Sequence, residues 1–179
     1  HRQVRALQIA YGRRMQQQGR QAWPSPDLLT WSTWLERCWG ELSAPLVAKA
    51  GAVSGALLSP VQETRLWEAV IGDSAIGNGL LQTHTTAHTA EQAWALSWEW
   101  GIPLPSTDSA PNEDVRAFAT WAREFDARCR RHGWQDRNRL ADVLGAAFES
   151  GRLKAPQQLL LFGFGELTHL QQRLFEVLR

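Results

Sequence analysis

The sequence predicts an α/β fold that is mostly helical, with a small parallel sheet. Three observations point to it. The unbroken apolar run Leu159-Leu160-Leu161-Phe162 suits a strand buried on both faces of a parallel sheet. Gly163 and Gly165 then let the chain turn. Thr168 and Gln171 follow at capping-box spacing and open a helix whose apolar side is Leu170, Leu174, Phe175 and Leu178. The long middle of the chain instead carries helix starts, helix stops and apolar residues at helical spacing. A second strand candidate, Asp27 to Thr30, lies ahead of that middle.

Taken in order, Arg2 to Gln18 reads as a helix with Val4, Leu7, Tyr11 and Met15 on one stripe. Arg2, Arg5 and Arg13 lie mainly on the other side, Arg20 stands just beyond Gly19, and no acid occurs before Asp27. A basic helix with no compensating acid suits contact with phosphates. It equally suits a solvated face. Trp23-Pro24-Ser25-Pro26 is a stiff connection. Thr33 and Glu36 form another capping box, opening a helix to about Leu42 with Leu35, Cys38, Trp39 and Leu42 inward.

Ala44 to Leu58 reads as an irregular link. Ser59-Pro60-Val61-Gln62 is the clearest helix start in the chain, combining a serine cap, a proline at the first turn and a closing glutamine. That helix is expected to end at Gly72, with a loop from Asp73 to Gly79. Leu80 to Gly101 is helical, with a break expected among Thr83, Thr85, Thr86 and Thr89 and with Thr89 and Gln92 capping the longer part. Asn112 opens the longest helix, which ends at Gly133; acids at its start and basic residues at its end suit the helix dipole. Asp136 or Asn138 caps a last helix before Gly151.

The chain has 179 residues and a net charge of +1, enough for one domain with a sizeable insertion and too balanced for charge alone to imply nucleic acid. Lys49 and Lys154 are the only lysines, so almost all the positive charge is arginine. There are ten tryptophans, which suit packing first and base stacking second. Cys38 and Cys129 have neither metal nor redox spacing, and two free thiols in a reducing cytoplasm is the simplest reading. No apolar run is long enough to span a bilayer, so no membrane role is expected.

Several chemistries find no motif. A phosphate-binding Gly-x-x-x-x-Gly-Lys-Ser/Thr is absent, and neither lysine follows a glycine. His84 and His88 have the spacing of paired ligands on a helix, but the intervening acid of the zinc-protease motif is missing. There is no Gly-x-Ser-x-Gly elbow. No metal, no cofactor and no catalytic residue is expected.

The segment Gly163-Phe164-Gly165-Glu166-Leu167-Thr168, with Gln171-Gln172-Arg173-Leu174, resembles the second motor motif of a bacterial DNA-repair family. That family is related to the B subunit of AddAB-type helicase-nucleases and is built on a decayed superfamily 1 motor. Trp23-Pro24-Ser25-Pro26-Asp27, Trp31 and Glu36 extend the likeness toward the start of the chain. The resemblance implies a partial RecA-like sheet, with residues 1–43 and 152–179 forming a motor-core remnant and residues 44–151 a helical insertion. In working relatives an Asp-Glu pair ends the strand and holds Mg²⁺. Gly165 and Glu166 stand in its place, so the motif is degenerate and the first carboxylate is gone.

The resemblance also places Thr30 and Trp31 in the first DNA-contacting motif, although Trp31 packed on a sheet edge is the alternative. The function implied is a non-catalytic, N-terminal piece of a double-strand-break repair helicase/exonuclease-like protein, with the nuclease carboxylates much further along a longer chain. It would supply scaffold and weak single-stranded DNA contacts through Arg2, Arg5, Arg13, Thr30 and Trp31. Two alternatives stand beside it. One is a docking module for other domains of the same chain or for a helicase-nuclease partner subunit. The other is a residual nucleotide switch using Glu166 and an upstream loop.

Overall fold

A computed structural model describes residues 2–48, 55–77, 82–106 and 109–179. The helices are α1 (Arg2–Gln17), α2 (Trp31–Ala48), α3 (Pro60–Gly72), α4 (Thr83–Trp100), α5 (Glu113–His132), α6 (Leu140–Glu149) and α7 (His169–Val177). Two short strands, β1 (Ala56–Leu57) and β2 (Trp134–Gln135), pair in parallel, and a 3-10 turn spans Arg137–Arg139.

Two apolar cores carry the molecule. In the first, α3, α4 and α5 enclose Trp67, Val70, Ile71, Trp94, Ala122 and Phe125. The Trp67 and Phe125 rings stack with centroids 4.4 Å apart, and Trp94 meets Trp67 edge-on at 6.2 Å. Fully burying side chains of this size stabilises by about 1.5–3 kcal/mol each. In the second core, α2, α6 and α7 bring together Leu35, Leu42, Leu140, Leu144, Leu170 and Leu174, with Trp34 stacked on Phe148. This core joins α6 to α2 and α7 across the expected division at residues 151 and 152.

The strands join the two cores. Ala56 faces Trp134 and Leu57 faces Gln135, and the Leu58 N–H donates to the Gln135 carbonyl at 3.0 Å. Gly55, at φ 70°, makes the approach possible: a β-carbon there would sit 2.9 Å from the Gly133 carbonyl oxygen.

The mostly helical class holds, but both strand expectations are corrected. Asp27 to Thr30 is not a strand. Asp27 is drawn off into an ion pair with Arg37 at 2.8 Å, and the Thr30 hydroxyl accepts from the Thr33 N–H as the cap of α2. α2 therefore begins at Trp31, ahead of the expected cap at Thr33, and runs past Leu42 to Ala48. Leu159 to Phe162 is not a strand either. Residues 154–167 make no backbone–backbone hydrogen bond among the described residues, and Leu160 is 83 % and Phe162 64 % exposed. A strand exists only by pairing, and nothing described pairs with this one.

The expected break among the threonines is corrected too. α4 is continuous from Thr83 to Trp100: the Thr86 and Thr89 hydroxyls bond back to the carbonyls of Gln82 and Thr85 without breaking it, and Ala87, Ala90 and Trp94 hold it against the first core. Residues 49–54 of the expected link and residues 78–79 of the expected loop lie outside the described residues. No helix among the described residues is long and apolar enough to cross a membrane.

Candidate functional site

α1 lies apart from both cores and buries no residue. Val4, Leu7, Tyr11 and Met15 are half-buried along one side, while Arg2, Arg5 and Arg13 are exposed, with Ile9, on the other. Many later arginines are held by acids, although Arg123 bonds the Pro105 carbonyl and Arg152 the Ser150 hydroxyl. Arg128 bonds Glu124 at 2.8 Å and Asp73 at 2.9 Å, Arg137 meets Glu36, and Arg173 meets Asp142 at 2.8 Å. Arg2, Arg5, Arg13, Arg14 and Arg20 form no ion pair among the described residues. Their guanidinium groups remain able to make charge-assisted bonds to phosphate.

Thr30 and Trp31 sit elsewhere, at the start of α2. The Thr30 hydroxyl is occupied by Thr33 and Ser32. Trp31 is half-buried, with its ring 5.5 Å from Phe175 edge-on and 5.7 Å from Trp34. Both residues therefore have structural work, and Trp31 packs against helices where a sheet edge was the alternative. A chain of contacts still links α1 to Trp31. A β-carbon on Gly163 would lie 2.9 Å from the Gln3 amide oxygen, Phe164 meets Phe175 edge-on at 6.3 Å, and Phe175 meets Trp31.

Gly165 and Glu166 are exposed just before the Thr168 cap of α7. His84 bonds Glu68 at 2.6 Å, and His88 approaches Gln92. Among the described residues no group of three or more His, Cys, Asp or Glu could hold a metal. Cys38 and Cys129 are free and buried; burial pushes their thiols up to about 11 and about 12, which leaves them poor nucleophiles.

Sequence reasoning missed two features. The first is the buried acid pair at the joint between the cores, Glu63 and Asp136. Asp136 accepts from the Trp94 indole N–H at 2.7 Å and from the Asn138 N–H at 2.9 Å, and Glu63 accepts from the Arg137 N–H at 2.8 Å. Burial pushes Glu63 up to about 8, with the nearby Asp136 adding to the rise against the Arg137 bond, and burial raises Asp136 as well. The second is a cleft of about 280 Å³ beside that joint, lined by residues of α2, α4, α7 and the 3-10 turn. Its lining residues are far apart in sequence, so no local spacing could disclose it.

No family model, no curated protein and no solved structure matches this chain.

Proposed function

We propose that the chain is a non-catalytic scaffold of a DNA double-strand-break repair protein of the helicase-nuclease kind, and that α1 guides single-stranded DNA along its arginine face. One observation carries the reading: Arg2, Arg5 and Arg13 stand exposed on one side of a helix with no acid partner among the described residues, while arginines such as Arg37, Arg128, Arg137 and Arg173 are tied to carboxylates. Releasing counterions from DNA favours binding by groups of this sort. The degenerate Gly165-Glu166 motif leaves the scaffold without a motor's metal site.

The test is fluorescence anisotropy with a labelled oligothymidylate over a salt series. Binding should be weak and should fall with salt by about 0.7 log units per phosphate contact for each log unit of salt. Replacing Arg5 and Arg13 together with Ala should reduce that slope by about 1.4. Absence of binding at low salt up to tens of micromolar protein would remove the DNA role.

The exposed run from Leu159 to Phe164 favours a second reading, a docking module with no DNA contact. Leu159, Leu160, Leu161, Phe162 and Phe164 form a contiguous apolar stretch with unpaired backbone, which suits strand addition from another domain or a partner subunit. Under that reading the Arg5 and Arg13 substitutions change no DNA affinity.

A further inference from the structure

We propose that the stretch from Gln158 to Phe162 pairs with the same stretch of a second copy of this chain, as two antiparallel strands related by a two-fold axis at Leu160. Such pairing presupposes the docking reading of this stretch and commits the surface to one partner. The chain bends at Gln157 and again at Gly163, where φ is 80°, and runs without a bend between them. Exposure alternates along that straight part: 38 % at Leu159, 83 % at Leu160, 45 % at Leu161 and 64 % at Phe162. A period of two is that of a strand with one face turned to the body of the molecule. Its backbone N–H and carbonyl groups are unpaired among the described residues, which leaves an open edge for another strand.

Two separate features select a copy of this chain and set the register. The bends are equally far from Leu160, so only pairing centred there lays one straight part fully along the other. Lys154 and Glu166 are also equally far from Leu160, and no residue between them is charged. Both are exposed and have no ion pair among the described residues. Antiparallel pairing about Leu160 puts Lys154 of each copy at the end where Glu166 of the other stands, twice over by symmetry. Parallel pairing in register would instead gather the lysines at one end and the glutamates at the other. In a two-fold pair, facing residues come from the same face of each strand, so Leu160 meets its own counterpart and Leu159 meets Leu161. Only the residues from Gln158 to Phe162 pair on each side, against roughly 20–30 in a stable complex, so the dimer is a weak one.

The test begins with sedimentation velocity of the full chain, which should be monomeric at about 1 µM and dimeric above about 100 µM. Lys154→Glu and Glu166→Lys should each weaken dimerisation about tenfold, and an equimolar mixture of the two variants should restore it, because each end then joins opposite charges. Leu160→Cys should give a disulfide-linked dimer under mild oxidation, since facing Cα atoms lie about 4.5–5.5 Å apart, whereas Leu161→Cys stands too far from its counterpart. Cys38 and Cys129 are buried and do not compete. All four substituted positions are exposed, so the folded monomer is kept. A chain that stays monomeric throughout, a mixture that fails to restore the dimer, or cross-linking through position 161 as strong as through 160 would each overturn the proposal. A monomer would leave the stretch to another domain or subunit; the docking reading itself falls only if replacing Arg5 and Arg13 with Ala removes DNA affinity.

Discussion

Among the described residues, Glu63 is one of two carboxyls, with Asp136, that burial sets against ionisation. It is 4 % exposed in the first turn of α3, and its carboxyl is pushed up to about 8 from an ordinary 4.5. Between those two values the folded chain holds a proton that the unfolded chain releases. The contribution to stability is therefore fully present below pH 4.5 and is lost as pH rises to about 8, by up to about 1.4 kcal/mol per pH unit. The raised Asp136 has the same sign, while Arg137 opposes it and Glu91 adds to it. Urea unfolding of Glu63→Gln at several pH values should show a flatter profile than the parent chain, because a glutamine oxygen still accepts from Arg137 and does not titrate. Parallel profiles would mean that Glu63 is ionised in the folded protein.

At the scale of elements, most caps were legible and strands were not; the Thr33–Glu36 and Thr89–Gln92 spacings fall inside α2 and α4. Ser59 with Gln62, Asn112, and Thr168 with Gln171 all cap helices as their spacing predicts. A cap is a bond between residues three apart, so sequence holds all of it. Thr168 is buried beneath the second core, and its replacement by Ala should cost about 1 kcal/mol, read as a lower urea midpoint with an unchanged slope. The run Leu159 to Phe162 has strand composition, but composition cannot supply a neighbour. β1 and β2 show the converse: two residues each, with no alternation to notice, they pair because helices bring residues 56 and 134 together. The candidate site divides in the same way. The arginine side of α1 could be read from helical spacing, whereas the cleft and the Glu63–Asp136 pair required tertiary contacts.

For the molecule as a whole, the joint between the cores concentrates long-range bonds on a few groups. The Arg137 side chain donates to the Leu58 carbonyl at 2.8 Å beside the first core and meets Glu36 of the second, while its own N–H is held by Glu63. The cores are thus tied by strand pairing, by this guanidinium and by the packing of α4 against α7, next to the cleft. Outside this joint, the stretch from Lys154 to Glu166 is exposed throughout. An uncovered, extended stretch rich in leucine and phenylalanine is the natural first target of a protease that cleaves after large apolar residues. Brief chymotrypsin treatment should therefore nick the chain at Leu160, Leu161 or Phe162 before any helix is cut. Leu170 and Leu174 remain clasped by the second core, so the two pieces should travel together in gel filtration and part only in denaturant. Added partner protein that covers this stretch should slow the nick, which turns an unprotected seam into a direct assay for whatever shields it.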